Sequence, residues 1–318
     1  MDLDGLRTFL AIHRSGGFSS AADGLHRSQP AISRRIALLE EEVGAPLFER
    51  TAGGVVLSQA GRVLLPLAER ALAAIGDCTA ALATLRSGTS GPLAIATVGT
   101  LAGANLTPIL KRFVAKHPAV ALSLRTATSD EVSDLVRQGE ASVGLRYQMD
   151  TASDLDCEQI ASERLVVVSG AGHRLAGGKV RSLRDLSGEH WLAFPDAQAL
   201  RETSADNLFA QFLVRGISDI AWTPVDSLTA QKRLVEAEFG LALLPESAIV
   251  EERTSGSLAA ISVADLKAAN PVCLVVRRQG YLSPAALALM SLLRSEPIAS
   301  PARRSKTQER RVKLPVSR

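Results

Sequence analysis

The stretch SSAADGLHRSQPAISRRIALLEEEVG, residues 19–44, decides how the first part of this chain folds. At the α-helical step of about 100° per residue, Ile36, Leu39 and Val43 all fall within roughly 40° of Ile32 and predict one buried stripe. Ser28 precedes them as a candidate N-cap. The stretch therefore predicts a helix with one aliphatic side and a polar side opposite it.

The polar side of this helix carries residue types that recognise DNA bases: Gln29, Pro30, Ser33 and Arg34. A Gln amide can pair bidentately with adenine, an Arg guanidinium with guanine, and a Ser hydroxyl with either. The major groove accepts one α-helix, whose N-terminal residues reach the base edges. A solvated surface helix has the same pattern, so the surrounding elements must decide.

The elements around this helix favour a DNA-binding head. Helical periodicity dominates residues 3–87, apart from PLFERTAGGVVLS, which predicts a short β-ribbon with glycines at its tip. A Gly-Gly turn separates a first helix from a second, for which Ser19 is the candidate N-cap. Ser58 is the candidate cap of a long helix that extends to Gly88.

The order helix, helix-turn-helix, wing and long helix resembles the LysR-type transcriptional regulators. The matching residues are LRTFLAIHRSGGFSSAADGLHRSQPAISRRIALLEEEVGAPLFER, followed by LSQAGRVLLPLAERAL. The resemblance implies that the polar side described above reads bases of double-stranded promoter DNA, and that Arg50 is the basic residue that opens the wing. The family commonly has another Arg at the wing tip, where this chain has Gly53. We expect Arg27 and Arg35 to supply contacts to the DNA backbone instead.

The long helix carries an apolar stripe that needs a partner. The resemblance implies an antiparallel pairing of two such linker helices in a homodimer; a homotetramer and a helix packed on its own domain are the alternatives. Two reading modules on one duplex require a dyad-related site. RNA polymerase is a further candidate partner. The stripe consists of Val63, Leu64, Leu67, Ala68, Ala71, Leu72, Ile75, Leu82 and Leu85.

Beyond a Gly/Ser-rich boundary, short apolar strands alternate with amphipathic helices, which implies parallel sheets covered by helices. This region resembles the effector domain of the LysR-type regulators, and the resemblance implies two α/β lobes, like a periplasmic binding protein. The fold class predicted is therefore an N-terminal all-α winged helix-turn-helix with a long linker helix, followed by a C-terminal α/β two-lobed effector domain. The predicted domains are the head at 1–60, the linker at 61–90, the effector domain at 91–298 (lobe I 91–161 and 267–298, lobe II 162–266), and a disordered basic tail at 299–318.

The resemblance places an effector in the cleft between the lobes, at strand ends and helix N-termini. Hydroxyls and amides at helix N-termini attract carboxylates, and Arg146 adds a fixed charge, so we expect a small organic anion. Helix capping by each hydroxyl, and a salt bridge from Arg146 to Asp130, are the alternatives. The candidate effector-binding residues are Thr100, Thr128, Ser129, Arg146, Phe194 and Ser227.

The charge balance gives no argument for DNA binding by itself. The net charge is +3, and residues 301–318 alone contribute +6, so the rest of the chain is mildly acidic. The sequence shows no secretory signal and no uninterrupted apolar run long enough for a membrane span. Three widely separated cysteines fit a reduced cytoplasm better than a disulfide framework. We therefore expect a cytoplasmic protein.

Three other functions were weighed. An enzyme is disfavoured, because VVVSGAGHRLAGG has Leu175 where a dinucleotide loop needs its third glycine, and no histidine shows metal-ligand spacing. We expect no catalytic residue, metal or cofactor. A redox-responsive regulator of the same fold would need a cysteine pair, but Cys157 and Cys273 are far apart in sequence and predicted to be incidental thiols. A small-molecule-binding protein without a DNA role is disfavoured by residues 1–60.

Overall fold

A computed structural model describes residues 1–51, 54–87, 92–103, 105–194 and 204–296. Its N-terminal head is a three-helix unit with a two-stranded wing, from which one long helix leaves. In chain order these elements are α1 (Leu3–Ser15), α2 (Phe18–Gly24), α3 (Gln29–Val43), β1 (Phe48–Thr51), β2 (Gly54–Leu57) and α4 (Gln59–Ser87).

Side-chain caps fix where the helices of the head begin. Ser28 caps α3 as predicted, with its hydroxyl accepting from the Ala31 amide at 3.4 Å. Ser58 caps α4 in the same way, through the Gly61 amide at 3.0 Å. The prediction of Ser19 as the cap of α2 is wrong: that helix already begins at Phe18, after an extended residue that carries no side chain.

One aliphatic and aromatic core holds the head together. Ile32, Ile36 and Leu39 of α3 are buried in it, as predicted, together with residues of α1. The ring of Phe48 in the wing packs against Phe9, with ring centroids 5.3 Å apart. Since Phe48 opens β1, this contact orients the wing relative to the helices.

The long helix α4 has apolar residues in the core of the head and other apolar residues that are exposed. Leu64 and Ala68 belong to the core of the head, so part of the predicted stripe packs on its own domain. Val63 and Leu67 lie on a different side, whereas Leu82 lies at the same helix angle as Leu64 but about 27 Å further along α4. The three side chains are 63%, 47% and 61% exposed. The helix therefore keeps apolar side chains that the head core does not cover.

The rest of the described chain is α/β. Among the described residues, no helix is both long enough and apolar enough to cross a bilayer. Short 3-10 turns lie at Gly99–Ala102, Leu183–Leu186 and Glu246–Ile249. In chain order the longer elements are β3 (Pro92–Val98), α5 (Leu106–Lys116), β4 (Ala121–Ala127), α6 (Ser129–Arg137), β5 (Val143–Tyr147), β6 (Leu155–Gly170), β7 (Lys179–Val180), β8 (Trp191–Ala193), α7 (Ser204–Leu213), β9 (Trp222–Pro224), α8 (Leu228–Glu236), β10 (Ala242–Pro245), α9 (Val250–Ser255), β11 (Leu258–Val263), β12 (Ala269–Arg277) and α10 (Pro284–Ser295).

The long strand β6 crosses from one lobe to the other. In lobe I the strand order is β4-β3-β5-β12-β6, with β3 parallel to β4 and β5, and β12 antiparallel to β5 and β6. Beyond Arg164 the same β6 pairs with β10 and β11 of lobe II. The sequence predicted only the segment 163–169 as a strand, because the preceding half is polar and partly exposed.

The two lobes have separate cores, as the predicted two-lobed α/β fold requires. Leu93, Phe113 and Leu145 lie in the core of lobe I, which α5 and α10 cover. Trp191 and Phe212 lie in that of lobe II, with their rings edge to face. The basic tail at 299–318, predicted to be disordered, lies outside the described residues, as does Gly53 of the wing tip.

We predict that Gly61→Ala destabilises the head. A Cβ at this position would come 2.2 Å from the carbonyl oxygen of Leu47, so α4 or the wing must shift. The expected loss is about 1–3 kcal/mol in the free energy of unfolding, measured by urea titration. Gly76→Ala in the same helix is the matched control, because its Cβ would meet nothing within 4 Å and Ala favours a helix. Equal midpoints for the two variants would contradict the prediction.

Candidate DNA interface and effector cleft

The side of α3 opposite the core is open. Gln29, Pro30 and Arg34 are exposed and Ser33 is half-buried, which leaves all four predicted base-reading residues on one accessible surface. The Gln29 amide nitrogen donates to the Ser33 hydroxyl at 3.1 Å. This bond holds the Gln29 side chain along the helix, so its free carbonyl and remaining N–H stay available to a partner.

Arg27 and Arg35 are engaged within the head. The Arg27 guanidinium donates to Asp4 at 2.8 Å, and that hydrogen bond lowers the pKa of the Asp4 carboxyl. Arg35 pairs with Asp4 at 3.1 Å and also with Asp2. These pairs join α1 to α3. A phosphate contact by either arginine, as predicted from the sequence, would compete with carboxylates that are already in place.

Arg50 lies exposed in the wing. It occupies β1 and pairs in register with Val55 of β2, which places it between the described base of the ribbon and the wing tip. The base is fixed from the other side, since the Leu47 amide donates to Glu40 of α3 at 2.6 Å. One hydrogen bond thus joins the base of the wing to α3, and the aromatic contacts of Phe48 join the wing to α1 and α2.

A cavity of about 510 Å³ lies between the two lobes, a size that suits a small organic molecule. Its lobe I wall is formed where the parallel strands β3, β4 and β5 end. Lobe II contributes the ends of β8 and β10 and the start of α8. Of the six predicted effector residues, four line this cavity: Thr100, Thr128, Ser129 and Phe194.

The other two predicted residues do not line the cavity. Arg146 is buried behind the wall, where it donates to Asp150 at 2.7 Å, to Ser133 at 2.7 Å and to Asp130 at 3.2 Å. The Asp130 salt bridge is the alternative offered by the sequence, and it turns the guanidinium away from the cleft. Ser227 caps α8 through the Ala230 amide at 3.4 Å, between two residues that do line the cavity.

A buried hydrogen-bond network, which the sequence did not indicate, joins the lobes beside the cavity. The Thr100 and Tyr147 hydroxyls are 2.8 Å apart, and Tyr147 donates to Glu163 of β6. Ser247 of lobe II donates to the other oxygen of the same carboxylate. Burial raises the pKa of Glu163, while the bonds from Ser247 and Tyr147 lower it. Burial likewise raises the pKa of Tyr147, which therefore stays protonated and donates.

The charged side chains of the described cavity wall are acidic. Glu131 is engaged by a capping box, in which the Thr128 amide donates to its carboxylate at 2.8 Å. Asp226 is exposed near the N-terminus of α8. The positive potential available to a ligand therefore comes from amides in the first turns of α6 and α8, which lack partners inside the helix.

The helix α6 leads from the cleft to the linker helix. Its N-terminal Ser129 lines the cavity, and the Gln138 amide nitrogen at its other end donates to Glu69 of α4 at 2.8 Å. Burial raises the pKa of Glu69. A second contact holds α4 on lobe I, where Arg277 donates to Asp77 at 2.5 Å. The head, the linker and the wall of the cleft are consequently in continuous contact.

The structure brings together two thiols that the sequence left apart. Cys157 lies on β6 and Cys273 on the neighbouring β12, with a hydrogen bond between their side chains. This bond lowers the pKa of Cys157 to about 7, while burial acts in the opposite direction. The two thiols are close because antiparallel pairing joins segments that are more than a hundred residues apart, and Cys273 is buried.

Comparison with known protein families agrees with both halves of the molecule. The profile of the bacterial regulatory helix-turn-helix protein, lysR family, matches residues 3–62. The profile of the LysR substrate binding domain matches residues 86–297, which is most of the chain. The chain belongs to the LysR family of transcriptional regulators. As a LysR-type regulator it is a DNA-binding protein with an effector domain and not an enzyme.

Individual relatives of this LysR-type regulator cover nearly its whole length. It is 28% identical over 293 residues to the HTH-type transcriptional regulator CbbR of Rhodospirillum rubrum, covering 91% of this chain and 95% of that protein. A mutant of OxyR from Corynebacterium glutamicum is 26% identical with a TM-score of 0.59, covering 92% and 91% of the two chains. The crystal structure of CbnR, at 24% identity, shares the fold with a TM-score of 0.63, covering 95% and 100%.

Proposed function

We propose that this LysR-type regulator acts in the cytoplasm as a homodimer, reads a dyad-related promoter site through α3, and responds to a small organic anion in the interlobe cleft. The observation that carries the DNA-reading part is the exposed row of Gln29, Pro30, Ser33 and Arg34 at the N-terminal end of α3. No carboxylate of the described residues pairs with Arg34, in contrast to Arg27 and Arg35.

The wing complements this surface through backbone contacts. Arg50 is exposed on the ribbon that packs beside α3. A helix in the major groove leaves phosphates within reach of the adjacent wing, and phosphate contacts fix register without reading sequence. Arg34 and Arg50 should therefore differ in kind: the first discriminates sequences and the second binds any duplex.

The target site is first located by footprinting the DNA upstream of the protein's own coding region. We predict that Arg34→Ala weakens binding to this footprinted site by about 1–3 kcal/mol. It should change the affinity for a scrambled duplex much less. Arg50→Ala is the matched comparison and should weaken binding to both duplexes equally. Gel-shift titrations at fixed salt measure both ratios. Unchanged affinity of Arg34→Ala for the footprinted site would overturn the base-reading assignment.

The uncovered side of α4 supports the dimer. At 100° per residue, Val63, Leu67 and Leu82 lie within about 100° of one another on a helix, and Leu82 lies beyond the last α4 residue of the head core, Leu72. Their exposure, given above, leaves an apolar strip that water disfavours. An antiparallel copy of α4 would cover this strip and place two reading helices on one duplex, which demands dyad-related half-sites.

We predict that Leu82→Glu dissociates the dimer, because the carboxylate would be buried unpaired against the partner helix. The dissociation constant should rise at least about tenfold, or roughly 1.4 kcal/mol. Multi-angle light scattering over a range of protein concentrations gives the mass. Thr84→Glu, about 160° around α4 from Leu82, is the control and should leave the mass unchanged. A Leu82→Glu variant that stays dimeric at every concentration excludes this seam.

The cleft supports an anion held by amides and hydroxyls rather than by a basic side chain of the described wall. Ser129 and its neighbours begin α6, and Leu228 begins α8, so two helix N-termini border one cavity. Apolar groups such as Leu165 and Leu243 face the same space. We infer a compact acid with an apolar body, and hydrogen-bond donors on that body would suit Glu131 and Asp226.

We predict that calorimetry with a panel of short carboxylic acids, including benzoate and succinate, detects binding that the corresponding amides do not show. Thr100→Val, which removes a hydroxyl from the wall, should weaken that binding about tenfold. Thr254→Val, in exposed α9, is the matched control. Binding of neutral or cationic compounds alone would refute the anion and leave the DNA-reading proposal standing.

A further inference from the structure

Three sulfur atoms from three segments meet on one face of lobe I. Cys157 is half-buried on β6, Cys273 is fully buried on β12, and Met149 is 47% exposed in the connection between β5 and β6. The Cys273 Sγ and Met149 Sδ atoms are 3.5 Å apart, and the two thiols share a hydrogen bond. Neither the DNA surface nor the cleft uses this cluster.

The strand register argues against a disulfide between the two thiols. Cys273 faces Gln159 across the ladder and Cys157 faces Val275, so the cysteines are diagonal neighbours rather than opposite ones. Diagonal Cα atoms lie about 7–8 Å apart, whereas disulfides usually need less than about 6.8 Å. An ion bonded to both sulfurs bridges a longer gap, because each metal–sulfur bond is itself about 2.3 Å in the case of zinc.

We propose that Cys157, Cys273 and Met149 form a binding site for a soft monovalent metal ion of the Cu(I) class. Thiolate and thioether ligands together select such ions over hard cations. A structural zinc site would need a fourth protein ligand, and the nearby Asp150 carboxylate is held by Arg146. Among the described residues, no group of three or more His, Cys, Asp or Glu side chains is arranged to hold a metal ion.

The chemistry of loading is balanced without an oxidant. Two thiols release their protons to water, two copper–sulfur bonds form, and the Met149 thioether adds a third bond without losing a proton. Met149 is the exposed member, so the ion can enter past it, while the burial of Cys273 keeps the site from competing water. The Asp150 amide, which donates to the Cys157 sulfur at 3.4 Å, is placed to stabilise the thiolate.

The test uses the reduced full-length protein carrying Cys78→Ser, which removes the exposed thiol of α4 and leaves the proposed ligands intact. Under anaerobic conditions, Cu(I) is offered as its coloured bicinchoninate complex and the loss of colour is titrated. We expect one equivalent of Cu(I) per chain. Cys157→Ser should lower the Cu(I) affinity at least about 100-fold, because loss of a direct ligand costs more than loss of a residue that only hydrogen-bonds to a ligand. Met149→Leu should lower the Cu(I) affinity about tenfold.

Copper K-edge absorption keeps the test decisive if a cysteine variant misfolds. Met149→Leu changes an exposed side chain of similar shape, so it should fold, and the sulfur neighbours of copper should fall from three to two. Met290→Leu, in the core of α10, is the matched control and should keep three. Unchanged affinity in Cys157→Ser, an unchanged sulfur count in Met149→Leu, or rapid closure of the two thiols to a disulfide in air would each overturn the site.

Discussion

The antiparallel pairing of β6 with β12 is the constraint on which the effector half depends. Beyond this ladder β6 continues into lobe II, where it pairs with β10 and β11, so one continuous strand joins the lobes. Asn270 and Leu165 lie near the point where β6 passes between the sheets, and both face the cavity. The same pairing makes Cys157 and Cys273 diagonal neighbours and sets Glu163 where hydroxyls of both lobes can reach it.

The crossing of β6 between the lobes also explains why a buried hydrogen-bond network lies beside the cleft. Glu163 is 3% exposed, and a buried carboxylate is costly unless it is well hydrogen-bonded. Tyr147 from lobe I and Ser247 from lobe II supply those bonds. A change in the angle between the lobes would break one of these two hydrogen bonds to Glu163. Thr100 connects the network to the cavity, because it contacts Tyr147 and lines the cavity wall.

Contact between the cleft and the DNA-reading head runs through two rigid helices. The helix α6 begins at the cavity wall and ends against Glu69 of α4, and α4 in turn packs into the head through Leu64 and Ala68. Because Gly61 has no side chain, α4 packs directly against the backbone of Leu47 at the base of the wing. In this LysR-type regulator, direct contacts therefore connect the interlobe cavity to the N-terminal head through α6 and α4.

Local sequence determined the elements whose signals are local. The apolar spacing of α3, the Ser28 and Ser58 caps, and the alternation of strands and helices follow from backbone geometry and burial, so these helices and the α/β class could be predicted. The wing and the division into two lobes were implied by the family resemblance. The same reasoning misplaced the start of α2, because the packing of the Phe18 ring is not encoded in cap preferences. It also missed the first half of β6, whose side chains are too polar to look like a strand.

Tertiary structure alone decided which residues meet. Thr100, Thr128, Ser129 and Phe194 line the cavity because parallel strands end at one edge, a rule that sequence can apply. Arg146 follows the same rule and yet points into the wall, since neighbouring carboxylates compete for its charge. The Glu163 network and the three sulfurs depend on register between segments distant in the chain. Sequence specifies each strand through its own periodicity, but register is set by the sum of contacts along both strands, which only the folded molecule reveals.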